Sequence, residues 1–252
     1  PVPKSSRYSG TSRRPIARPI FAQSDSDSFP LRILKSTFTN NSSTILNSKG
    51  GGIYHAFGKL EVIGCTLAGN EGYGLAMAGN GSISTTIVDS TITNNTFGGI
   101  ETEFTSVSTG KLNITNSTIS GNTAAGSGGG IVVLGGTVTS INSTITNNTA
   151  DLGDVAPGDG GGISAQAGTT ILKNTIVAGN FNDNGVTDAA DDISGTVDPS
   201  SSFNLIGGSR GAFNAEEKAL KNARDEIVTE ALEIAQYDAI EHTALAVGDD
   251  AT

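Results

Sequence analysis

Residues 117–148 read STISGNTAAGSGGGIVVLGGTVTSINSTITNN. Three phrases follow one another and then the first returns. STISGN (117–122) has an apolar centre, Ile119, between hydroxyl residues and ends on Asn122. A glycine cluster then runs into Ile131, and a Thr/Val/Ile-rich run (TVTSIN, 137–142) leads into STITNN (143–148). Working outward, the first phrase recurs as STFTNN (36–41), CTLAGN (65–70), STITNN (90–95) and TIVAGN (175–180). Its apolar centres are Phe38, Leu67, Ile92, Ile119, Ile145 and Val177, spaced by 29, 25, 27, 26 and 32 residues. Asn41, Asn70, Asn95, Asn122, Asn148 and Asn180 each follow three positions later. The glycine phrase ends at Ile53, Leu75, Ile100, Ile131 and Ile163.

A period of this length with short strand-like runs separated by Gly and Asn excludes an ordinary sandwich. Each unit has too few aliphatic residues to bury a core alone, so stability requires stacking one unit on the next. The pattern predicts an all-β solenoid, a parallel β-helix with about three strands per coil and coils about 4.8 Å apart. Asn tolerates the left-handed backbone of a tight corner, and stacked Asn amides bond to one another along a column. Both properties suit the recurring Asn, whose expected role is a buried ladder. Glycine suits the other corner, where backbones approach closely.

Composition agrees. The 252 residues include 34 Gly, one Cys and no Trp, and only 16% are charged. The lone Cys65 excludes an intrachain disulfide framework or a cysteine-rich metal centre. No apolar run is long enough for a membrane span. Residues 1–35 carry a net charge of +5, residues 36–180 carry −4 and residues 181–252 carry −11. That acidity argues against nucleic acid as a partner, since phosphate binding needs a clustered basic face.

The alternation of Gly51-Gly52-Ile53, Gly99-Ile100 and Gly161-Gly162-Ile163 with Phe38-Thr39-Asn40-Asn41 resembles the polymorphic outer-membrane-protein repeat. Elsewhere Leu, Ile or Val stands in place of Phe. NTIVAGN…DDISGTVDPSSSFNLIGG (174–208) resembles the last coils of bacterial surface proteins with a choice-of-anchor β-helix. These resemblances imply a right-handed parallel β-helix of the pectate-lyase-like class and a secreted or surface-attached, adhesin-like role. The expected organisation is a flexible basic arm (1–30), a β-helix (31–208), and a C-terminal helix and tail (209–252). Residues 214–246 read as one helix: Asn214 and Glu217 form a capping-box-like pair, and Leu220, Ile227 and Ile234 make a stripe.

Three site readings follow. With the apolar centre turned inward, its neighbours turn outward. Thr37, Thr39, Thr91, Thr93, Thr118, Thr144 and Thr146 then form a flat T-x-T face, an expected binding surface that also resembles those of ice-binding solenoids. Residues 180–191, NFNDNGVTDAAD, align with a twelve-residue calcium loop, with Asn182, Asn184, Asp188 and Asp191 as ligands and Gly185 at the sharp turn. No cofactor is expected beyond this weak calcium site. Catalysis of the lyase or hydrolase kind needs converging carboxylates and a base. Glu101 and Glu103 share a strand face, Asp151, Asp154 and Asp159 share a loop, and neither set has an evident basic partner. His55 reads as a lone surface or turn histidine. The expected function is therefore a non-enzymatic structural or adhesive protein. Its expected partners are a glycan, a surface protein or copies of itself; ice binding and polysaccharide cleavage are the alternatives.

Overall fold

The computed structural model describes residues 20–23, 30–42, 50–79, 82–104, 110–151, 158–183 and 188–210. They form an all-β parallel solenoid of about six turns. The short strands Thr37–Thr39, Thr66–Ala68, Thr91–Thr93, Thr118–Ser120, Thr144–Thr146, Ile176–Val177 and Leu205–Ile206 stack in chain order as one seven-stranded sheet. An eleven-stranded sheet carries the glycine phrase and the Thr/Val/Ile-rich run. Three separate strands per coil occur only in part of the chain. In Gly50–Ile63, Ile131–Ile141 and Ile163–Lys173 the first two strands fuse into one. Gly58, Gly136 and Gly168 (φ 79°, 72° and 81°) sit within these fused strands. Glycine takes such a φ without a Cβ clash, so the chain rounds the corner without breaking the strand.

The interior is built of columns. Leu67, Ile92, Ile119, Ile145 and Val177 stack in register under the short strands and are fully buried. Ile53, Leu75, Ile100, Ile131, Ile163 and Ile193 form a second column behind the glycine corners. Two positions further on, strand alternation turns His55, Met77, Thr102 and Val133 into a third, which Ala165 and Gly195 continue half-buried. Coil after coil, the core is only a few aliphatic side chains wide, which is why so little hydrophobic residue suffices.

The corner after each short strand divides its work between two residues. The left-handed conformation falls on Asn40, Gly69, Asn94, Gly121, Asn147 and Gly179, with φ between 54° and 71°. The recurring Asn that follows is not left-handed. Its amide points inward, and the expected ladder is present: Asn95 N and Nδ2 both donate to Asn122 Oδ1 (3.0 and 2.9 Å), and Asn122 donates likewise to Asn148 (3.0 and 2.9 Å). From Asn70 to Asn180 each amide also donates to the carbonyl of a neighbouring apolar centre, as Asn122 Nδ2 does to Ile92 O at 3.0 Å. Both properties are expected of the one recurring Asn; the structure gives the strained backbone to the first residue of the pair and the buried amide to the second.

The solenoid begins earlier than residue 31. Ile20–Gln23 pairs in parallel with Ile53–Phe57, so this apolar stretch of the expected basic arm belongs to the sheet. At the other end Ser209 pairs with Ile193. Residues 1–19 of the arm and the helix expected at 214–246 lie outside the described residues. Among the described residues no helix is long and apolar enough to cross a membrane.

Candidate functional site: the threonine face and the acidic C-terminal coils

The parallel register of the short sheet places the T-x-T residues in two columns. Thr37, Thr66, Thr91, Thr118 and Thr144 form one, and Thr39, Ala68, Thr93, Ser120 and Thr146 the other. All are at least partly solvent-accessible, while the apolar residue between each pair from Leu67 to Ile145 is buried. Neighbouring rungs are about 4.8 Å apart and the two columns roughly 6.6 Å apart, as strand geometry requires. Ser120 Oγ donates to Thr93 Oγ1 at 3.4 Å, so hydroxyls of successive coils are within reach of each other. Thr37, Thr39, Thr91, Thr93, Thr118, Thr144 and Thr146 are thus brought onto one surface. The array ends where Ile176 and Leu205 continue the first column; both are exposed, as is Phe203 beside them.

A second polar column sits at the entry to this face, and its signal in the sequence was the Ser before each T-x-T. Cys65 N donates to Ser90 Oγ (3.0 Å), Ser90 N to Ser117 Oγ (3.1 Å) and Ser117 N to Ser143 Oγ (3.2 Å). Cys65 occupies a rung of that column, with Sγ 3.5 Å from Ser36 N; burial pushes its thiol pKa up, away from a reactive thiolate.

His55 is buried, contrary to its reading as a surface or turn residue. The period-two alternation that buries Ile53 also buries the residue two positions on. Its Nδ1 lies 2.8 Å from Thr85 Oγ1 and its Nε2 2.9 Å from Phe57 O, so both ring nitrogens are satisfied. Burial holds its pKa down at about 4, with the Phe57 carbonyl pulling the other way. Glu101 and Glu103 share a face as expected, yet Glu101 is 4% exposed and Glu103 lies in the open. Glu101 is hydrogen-bonded to Tyr73, whose phenol is pushed above its usual pKa by burial first and by that carboxylate second.

The residues of the expected calcium loop part company. Asn180 is committed to the ladder: its Oδ1 accepts from Asn148 N and Nδ2, and its Nδ2 donates to Asp192 Oδ1 (2.8 Å) and Ile145 O (3.0 Å). A loop register beginning at Asn180 therefore lacks its first ligand. Phe181–Asp183 and Asp188–Ala190 pair as an antiparallel hairpin, with Asp183 opposite Asp188. Asn184 lies outside the described residues. Asn182 and Asp191 are buried and turn toward the same segment, Gly158–Gly160: Asn182 Nδ2 donates to Gly158 O, and Gly160 N donates to Asp191 Oδ2 at 2.9 Å. Among the described residues no three His, Cys, Asp or Glu side chains gather as a ready metal set.

Asp192, which sequence reading missed, ends the Asn column. Burial raises its pKa, and bonds from Asn180 and Gly208 lower it in part. Nothing in the repeat pointed to it, because an acid stands where the rhythm calls for an amide.

A family model described as a right handed beta helix region matches residues 20–150. No curated protein and no solved structure matches the chain. The matched segment begins at the first described strand and carries the threonine face, most of the glycine corners and most of the Asn ladder; the chain belongs to the right-handed β-helix family.

Proposed function

We propose that this chain is a non-enzymatic structural or adhesive solenoid, secreted or held at a cell surface, whose threonine face binds an extended, repetitive glycan. One observation carries the reading: the T-x-T residues stand in two in-register columns on a parallel sheet. A side chain that offers a hydroxyl and a methyl at regular spacing meets the alternating polar and apolar edges of a polysaccharide. The column positions carry no charge, which favours a neutral sugar over a polyanion. A sheet backed by a close-packed core holds the array rigid, so little ordering entropy is lost on binding.

The same regularity favours a second reading, ice. Hydroxyls and methyls at about 4.8 by 6.6 Å on a flat sheet also organise water. Two assays separate the readings: a glycan array and a thermal-hysteresis measurement, each on the intact chain and on the Thr91→Lys, Thr118→Lys double variant. Retention on a neutral polysaccharide, lost in the variant, supports adhesion. Hysteresis lost in the variant supports ice binding. Binding that survives both substitutions removes the threonine face from the account, and release of unsaturated or reducing sugars would replace it with an enzyme.

A further inference from the structure

Besides Thr170 Oγ1, three buried side-chain oxygens among the described residues of the C-terminal coils have no hydrogen-bond partner: Asp151 Oδ1, Asn182 Oδ1 and Asp191 Oδ1. Their residues are 4%, 2% and 0% exposed. An unpartnered carboxylate oxygen at such depth is strongly disfavoured unless something else meets it.

The three residues converge through one short segment. Asn182 Nδ2 donates to Gly158 O and lies 3.5 Å from Asp159 Oδ1, which leaves Oδ1 as its unpartnered atom. Asp191 Oδ2 accepts from Gly160 N at 2.9 Å, which leaves Oδ1 as its free oxygen. Asp151 follows Ala150, the register partner of Asn182, and takes a left-handed turn (φ 57°). Its N donates to Gly126 O at 2.9 Å, and Gly158 packs directly on Gly126: a Cβ added at Gly158 would lie 2.6 Å from Gly126 C. All three residues thus border the segment 158–160, each with one buried oxygen left unpartnered. Between Lys111 and Arg210 the only basic residue is Lys173, exposed at the end of its strand.

We propose that Asp151, Asn182 and Asp191, closed over by Gly158–Gly160, form a binding site for a divalent cation, with calcium as the ion they suit. Two carboxylate oxygens and one amide oxygen are hard donors, and calcium takes its remaining ligands from carbonyls and water. The absence of nitrogen and sulfur donors disfavours zinc or copper. This ligand set comes from two successive coils, so the cation ties the corner after the strand Thr149–Ala150 to the hairpin of the next coil. It differs from a linear twelve-residue loop, because it uses Asp151 and does not need Asp188.

The test is calcium chloride titrated by calorimetry into the full chain after EDTA treatment, with thermal unfolding followed in parallel. The expected result is one equivalent bound and a calcium-dependent rise in Tm. Asp191→Asn and Asp151→Asn should each weaken binding at least tenfold, while Asp188→Ala keeps the affinity of the parent chain. Should either asparagine variant fail to fold, the other reports on the same site. Absence of both heat and Tm shift in the parent chain overturns the proposal and leaves the oxygens to buried water. Loss of binding in Asp188→Ala alone overturns it too, by moving the ion into the hairpin loop.

Discussion

Asn180 donates twice to one oxygen of Asp192, from its backbone N at 2.7 Å and from its side-chain Nδ2 at 2.8 Å. That carboxylate does at the end of the column what an Asn amide oxygen does at every other rung. The ladder terminates on an acceptor that needs no further donor beneath it, so no amide is stranded at the last coil.

Adjacent asparagines should respond unequally to substitution. Asn147 is left-handed (φ 54°) and exposed, and Gly stands at the equivalent place in three other coils. Asn147→Gly should change stability by less than about 0.5 kcal/mol. Asn148→Ala strips Asn122 N and Nδ2 of their acceptor inside the core and should destabilise by about 3 kcal/mol. Urea unfolding of the two variants checks the contrast.

Acid should weaken the fold through His55. Its folded pKa of about 4 lies below the unfolded 6.5, so the unfolded chain binds the proton first. This contribution is fully present above pH 6.5 and disappears as pH falls toward 4, at most about 3 kcal/mol across the window. His55→Met, the residue type that Met77 supplies one rung away, should flatten unfolding free energy against pH in that range. A parent-like slope in the variant contradicts the assignment.

Asp192 acts in the opposite sense. Its pKa is raised above 3.8, so the folded chain holds that proton more tightly than the unfolded one. Stability from this group is present at low pH and declines as pH rises through the raised value. Asp192→Asn keeps an acceptor for Asn180 and removes the buried charge. Measured in EDTA, it should be the more stable chain at neutral pH and should lose more stability than the parent on acidification.

Glycines of the corner phrase are not equivalent. A Cβ at Gly130 would lie 2.4 Å from Gly162 O, a backbone atom that cannot swing aside. Gly130→Ala should destabilise by about 2 kcal/mol. At Gly126 a Cβ meets nothing within 4 Å, and Gly126→Ala should be silent to within about 0.5 kcal/mol. Thermal unfolding of the pair distinguishes close backbone approach from a general demand for glycine.

The solenoid was legible because it repeats: Ile92, Ile119 and Ile145 announce one inward column, and the Asn three residues later announces the corner. Residues whose role depends on which side of a strand they occupy were harder to read. His55 becomes a core residue only once Ile53 is known to point inward. The Asn pair could not be divided into strained and buried members until the path of the corner was known. Asp192 and Asp151 break the repeat, and their roles come from what the next coil places against them. Asn182 and Asp191 were singled out from a linear motif, yet the structure brings them together through Gly158 and Gly160, which that motif does not contain.

The central functional claim is that the threonine columns are the binding surface. The most direct measurement is binding of the intact chain to an array of neutral polysaccharides, compared with the Thr91→Lys, Thr118→Lys variant at matched Tm. The parent chain should be retained and the variant lost, with an unchanged Tm. Equal binding by the two chains, or none by the parent, contradicts it.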